Sequence, residues 1–199
     1  MALTLDQGGD LVKYARAVIE GHYSGGKPDV PASLAEIFKE KRGVFVTLHK
    51  DSELRGCIGF PEPTHPLGAA VESAALSSAL EDPRFPPVGK AELDRIVVEV
   101  SVLTEPRLVE VKDPREYAEK VKVGCDGLIA EQGWCRGLLL PQVPVEWNWD
   151  AEEFLCHTCG KAGLPQTAWL GKGFRLYSFQ AQIFSEESPR GKVVEKKIN

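Results

Sequence analysis

The order hairpin, helix, strand occurs twice along this chain, and that repetition restricts the fold more than any single motif. In the first half, "GVFVTLH" (Gly43–His49) reads as a strand, "KDSE" as a tight turn and "LRGCIGF" (Leu54–Phe60) as the returning strand. A helix is expected from Pro66 to about Leu80, and "RIVVEVSVL" (Arg95–Leu103) closes the set as a strand. In the second half, "DGLIAE" and "WCRGLLLP" flank a turn at Gln132-Gly133. "DAEEFLCHTCGKAG" follows as a helix, with Asp150 as cap and Glu153 three residues on, and "FRLYSFQAQIF" (Phe174–Phe184) reads as one final strand. Arg55-Gly56 matches Arg136-Gly137, and each pair leads through apolar residues to a proline, Pro61 or Pro141. Gly89-Lys90 and Gly171-Lys172 precede the last strand of each set.

These matches predict an α+β fold of two pseudo-repeated ββαβ units related by internal duplication. Their sheets should be mixed or antiparallel and flanked by helices, with helix crossovers placing some strands parallel. N-terminal helices, one over Asp10–Tyr23 with Asp10 as its cap and a short one around Leu34–Lys39, should cover an open face. The whole chain is expected to form a single domain of two lobes, residues 1–112 and 113–199.

A net charge of −5 argues against broad binding of nucleic acid or of anionic membranes, since both need a basic face. No apolar run approaches the ~20 residues of a membrane span, and the first residues lack the pattern of a signal peptide, so a cytoplasmic protein is expected. Five cysteines, an odd number, fit reduced thiols better than a disulfide framework. The scarcity of asparagine (Asn148 and Asn199) and of methionine (Met1) leans toward a thermophilic source.

The stretch Leu54-Arg55-Gly56-Cys57-Ile58-Gly59 sets an arginine two residues from a thiol within a strand. In a regular strand, residues i and i+2 share a face, so Arg55 would neighbour Cys57 and favour its thiolate. The second copy weighs against that, because Arg136 is repeated while Leu138 fills the place of Cys57. An arginine needed twice suits the bracing of a loop or carboxylate, and a position that accepts leucine suits an inert thiol. Gly56 and Gly59 imply a bulge or the close approach of another backbone or of a ligand, as in a cleft wall.

The hexapeptide "LRGCIG" resembles the signature of the AMMECR family, named for a human chromosomal region linked to Alport syndrome, midface hypoplasia and elliptocytosis. "DPRFPPV", "GLIAEQGWCRGLLLPQV" and "EFLCHTCGKAGLP" resemble the same family, so the likeness covers nearly the whole chain. The resemblance implies the two-lobe fold and supplies no reaction. It also implies a possible place beside a Memo-type protein and a radical S-adenosylmethionine enzyme in a modification pathway.

Other constellations are weaker. In "CHTC", Cys156 lies beyond the first turn of its helix, where the dipole lowers a thiol pKa least, so a redox motif is disfavoured. Cys156 and Cys159 lack a second ligand pair, so no metal and no cofactor is expected. Asp126 sits in an Asp-Gly turn, and His157 lies off the helix's apolar side. "VPVEWNWD" forms either a partner-binding rim or a plug. Two functions follow. One is an accessory protein that binds a protein or small molecule in a cleft at Leu54–Gly59. The other is an enzyme with Cys57 as nucleophile, Arg55 holding an anionic group, and His157 or Asp126 moving protons.

Overall fold

The structure, a computed structural model, describes residues 2–197. The chain divides into two compact units, one formed by residues up to Leu103 together with Gln182–Lys196, the other by Thr104–Ala181.

The first unit begins with α1 (Leu5–Ser24), then β1 (Val44–Lys50), β2 (Glu53–Phe60), α2 (Leu67–Leu80) and β3 (Ile96–Leu103). Helix α1 starts earlier than the periodicity suggests. Thr4, not Asp10, is the cap, and its side chain and that of Gln7 satisfy each other's backbone N–H groups. Gly8 and Gly9 blur the helical signal in this first turn, yet Gly8 is needed: a Cβ there would collide with the ring of Phe184. Two short 3-10 turns, Ala32–Leu34 and Ile37–Lys39, replace the helix expected between Leu34 and Lys39.

The β1–β2 turn has Asp51 and Ser52 both at positive φ, 53° and 69°, which suits a two-residue hairpin. Strands β1 and β3 pair antiparallel, as do β1 and β2. The crossover β2–α2–β3 therefore joins strands of like direction, but β1 lies between them. For this reason the helix crossover creates no parallel neighbours here. Val44, Val46 and Leu48 of β1 join Val98, Val100 and Val102 of β3 in one core with the apolar faces of α1 and α2.

Two further strands complete this sheet: β8 (Ala181–Glu186) and β9 (Val193–Lys196), in the order β2-β1-β3-β8-β9. "FRLYSFQAQIF" is thus two strands. The alternating pattern runs through Gln180 unbroken, so periodicity alone did not reveal the change of sheet. A buried ion pair fastens the returning strand. Arg16 of α1 donates to Glu186 of β8 at 2.6 and 2.5 Å, while Glu186 also accepts from the Val98 N–H at 2.9 Å.

The second unit contains β4 (Arg107–Leu108), α3 (Glu116–Lys120), β5 (Gly127–Gln132), β6 (Cys135–Leu139), α4 (Gln142–Glu146), α5 (Ala151–Lys161) and β7 (Arg175–Phe179). Its sheet runs β4-β7-β5-β6, and β5 pairs antiparallel with both β6 and β7. The segment β5-β6-α5-β7 thus has the same order and connection as β1-β2-α2-β3. Topology alone does not establish that one arose as a copy of the other. Its core gathers Leu128, Phe154, Leu155, Cys159, Trp169 and Leu176. Where the unit's ends meet, Thr104 N–H donates to the Gln180 carbonyl and Gln180 N–H to Thr104 Oγ1, each at 2.8 Å.

Candidate functional site

Strand β2 lies at the edge of its sheet, and its middle carries the hexapeptide. Gly56 pairs with Leu48 and Leu54 with His49, so Arg55 has no residue opposite it. It is the extra residue of a β-bulge, and a bulge re-aims its side chain. The expected i, i+2 neighbourhood of Arg55 and Cys57 fails for this reason. Arg55 reaches the loop after α2 instead. Its guanidinium donates to Glu92 at 3.2 and 3.0 Å and to the carbonyls of Pro86 and Pro87 at 2.9 and 3.4 Å. Lys50 adds a 2.6 Å contact to Glu92, and the Gly89 N–H donates to it at 2.9 Å. Hydrogen bonds from Arg55, then Lys50 and Gly89, hold the Glu92 carboxyl down at about 2.

The cation beside Cys57 is Arg84. It donates to the Cys57 carbonyl at 3.3 Å and grips Asp82 at 3.0 and 2.7 Å. Asp82 accepts from the Cys57 N–H at 2.8 Å, which satisfies an edge-strand donor that has no neighbouring strand. The hydrogen bonds from Arg84, with smaller help from the Cys57 N–H, hold the Asp82 carboxyl well below the usual carboxylate range. Phe85 stands under both guanidinium groups, 6.0 Å from that of Arg55 and 5.5 Å from that of Arg84. The loop Asp82–Glu92 is therefore a collar tied to β2 by its backbone and its arginine.

Cys57 itself lies opposite Thr47, which lies opposite Glu99, on the sheet face turned away from α1 and α2. The Thr47 hydroxyl donates to Cys57 Sγ at 3.2 Å. Lys196 pairs with Glu99 at 2.7 Å. Burial pushes the Cys57 thiol up, and the Thr47 hydrogen bond and the charge of Arg84 offset this only in part. Burial also pushes His49, on the same face, down against an upward pull from Glu99. The thiol is thus held protonated near neutral pH, the opposite of an activated nucleophile.

The glycines of the hexapeptide serve this unit's own backbone. A Cβ on Gly56 would collide with the Ser78 carbonyl of α2, and one on Gly59 with the Val44 carbonyl and Phe45 of β1. Leu54 is exposed at the edge, and Ile58 is half-buried.

The remaining candidates belong to the second unit. Asp126 is buried and closes its own turn, accepting from the Lys122 N–H at 2.9 Å while its N–H donates to the Lys122 carbonyl. His157 is exposed and stacks on Trp149, with centroids 3.8 Å apart and planes 7° from parallel. Cys159 is buried in the core, where burial raises its thiol to about 11. Among the described residues no cluster of three His, Cys, Asp or Glu side chains can hold a metal. Among the described residues no helix is long and apolar enough to cross a membrane.

Sequence reasoning missed Asp82, Arg84, Glu92, Thr47 and Glu99. One signal was available: Glu99 is the lone charge in the apolar run "IVVEVSVL". The partnership of Asp82 and Arg84 with β2 depends on the path of the loop and has no local signature.

The likeness to known proteins extends over most of the chain. The AMMECR1 family model matches residues 12–184. The chain belongs to the AMMECR1 family. It is 60% identical over 198 residues to protein MJ0810 of Methanocaldococcus jannaschii, covering 98% of both chains. It is 53% identical over 194 residues to protein PH0010 of Pyrococcus horikoshii, covering 94% of each. The crystal structure of that uncharacterized protein matches with a TM-score of 0.86 and 52% identity, over 96% of this chain and 97% of the other. The α+β architecture is thus common to this AMMECR1 chain and its archaeal relative.

Proposed function

We propose that this AMMECR1 protein is an accessory protein that binds a partner through the edge of β2 and its collar, within a modification pathway that includes Memo-type and radical S-adenosylmethionine proteins. One observation carries the reading: the arginine of the hexapeptide and the one beside Cys57 are both committed, Arg55 to Glu92 and Arg84 to Asp82. A carboxylate already neutralises each guanidinium, which leaves neither to bind an anionic substrate, and the pull of Arg84 toward a thiolate is outweighed by burial of Cys57. The exposed Leu54 and the half-exposed Arg84, whose side chain is 53% accessible, offer a surface for recognition. The alternative, a thiol enzyme, would need Cys57 to ionise near neutral pH, against the effect of burial.

Two measurements test this. Under iodoacetamide near neutral pH, Cys57 should be alkylated more slowly than the exposed Cys135. Selective, faster labelling of Cys57 would restore the enzyme reading. Titration calorimetry with the Memo-type protein and the radical enzyme of the same genome should give binding that Leu54→Asp abolishes. Binding unchanged by that substitution, or none to either protein, would remove the β2 edge as the docking element.

A further inference from the structure

The second unit holds an aromatic ladder whose outer end packs on neither hydrophobic core. Helix α4 ends at Glu146 with Trp147 as its C-cap, and Asn148 follows with φ 53°, in the left-handed region. Its N–H donates to the Val145 carbonyl at 3.2 Å, and the Trp149 N–H donates to the Pro144 carbonyl at 2.8 Å. This is a Schellman stop, and asparagine is the side-chain-bearing residue best suited to its left-handed position. A chain with only two asparagines keeps one here. Asp150 then caps α5 directly. The two tight devices leave Trp147 and Trp149 stacked, with centroids 6.3 Å apart and planes at 19°. His157, two turns into α5, closes the inner end against Trp149 at 3.8 Å. Trp149 rests partly buried on the unit's core, while Trp147 is 68% exposed. The ladder is therefore fixed at one end and open at the other.

The charges on its own segment are of one sign. From Pro141 to Gly160 there is no lysine or arginine, and the carboxylates are Glu146, Asp150, Glu152 and Glu153. Asp150 and Glu153 are occupied with each other's backbone N–H groups in the helix cap. Glu146 and Glu152 are exposed and have no ion-pair partner among the described residues. An exposed indole on a segment with unpaired carboxylates is complementary to a flat cation that can stack and donate two hydrogen bonds at once. A guanidinium meets both requirements, and an ammonium only the charge requirement.

We infer that the open face of Trp147, with Glu146 and Glu152, is a docking site for an arginine-bearing segment of a partner protein. The site is separate from the β2 edge and stands or falls independently of it. The probe is a short synthetic tri-arginine peptide, titrated into the full-length protein while tryptophan fluorescence and heat are recorded. Its tri-lysine counterpart serves as a charge control. The arginine peptide should quench fluorescence and bind more tightly than the lysine peptide. Trp147→Ala should weaken arginine binding about tenfold, the scale of one partly desolvated cation–π contact. The double variant Glu146→Gln, Glu152→Gln should weaken it as well, with its melting temperature unchanged because both side chains are free of structural bonds. Failure of the wild-type protein to bind the arginine peptide would overturn the inference. So would equal affinity for both peptides, or wild-type affinity in Trp147→Ala.

Discussion

The two hairpins differ by one residue, and that residue decides what their arginines do. In β5–β6 the register is regular, so Arg136 lies directly opposite Glu131 and pairs with it at 2.8 Å, with its guanidinium 5.5 Å from the Tyr177 ring. In β1–β2 the bulge frees Arg55 from any cross-strand partner and sends it to Glu92, beyond the following helix. The glycine after each arginine keeps the same duty. A Cβ on Gly137 would collide with the backbone of Ala162 and Lys161 at the end of α5, as one on Gly56 would with Ser78 of α2. The Arg-Gly pair is thus two devices side by side. The glycine admits a helix, and the arginine braces whichever carboxylate the local register offers.

The largest effect should come from the glycines. Gly56→Ala and Gly137→Ala each force two backbones apart and should each cost about 3 kcal/mol by denaturant unfolding, the upper range for overpacking. A neutral Gly137→Ala would break the equivalence. Next come the arginines. Arg55 has a side chain only 12% exposed and bonds to a carboxylate and two carbonyls, so Arg55→Met should cost roughly 2 kcal/mol, as for hydrogen bonds between charged groups. Arg136 is 40% exposed, and Arg136→Met should cost about 1 kcal/mol or less. Equal losses would mean that the bulge gains Arg55 nothing.

The pH dependence sharpens the same contrast. Glu92 has its carboxyl lowered in the folded state from an ordinary 4.5 to about 2. Its contribution to stability is complete above about pH 5 and is lost as pH falls from there toward 2. Arg55→Met should flatten the acid limb of the stability curve in that window, as read by chemical unfolding at successive pH values. The smallest effect belongs to Cys57→Ala, expected to cost no more than about 1 kcal/mol at this half-buried position.

Where structure is dictated locally, the sequence was legible. Alternating β-branched residues mark β1 and β3, and Asp150 with Glu153 marks the start of α5. The bulge at Arg55 was not legible, because nothing in "ELRG" distinguishes a regular strand from one with an extra residue. The start of α1 at Thr4 was hidden by Gly8 and Gly9, whose low helix propensity is overridden by their packing against Phe184 and neighbours. The division between β7 and β8 was hidden because both strands need the same alternation. Of the candidate site, the hexapeptide was readable and its collar was not, since Asp82, Arg84 and Glu92 act through distant pairing.

The return of β8 and β9 to the first sheet makes the second unit a guest threaded into a host. Both of its ends pass through the Thr104–Gln180 stem, where backbone groups already touch. A protease nick in a loop of the guest would therefore not release the halves, because β3 from before the cut and β8 from after it are hydrogen-bonded neighbours in the host sheet. An engineer could excise the guest by joining Leu103 to Gln182 through a short turn, or exchange it for another module.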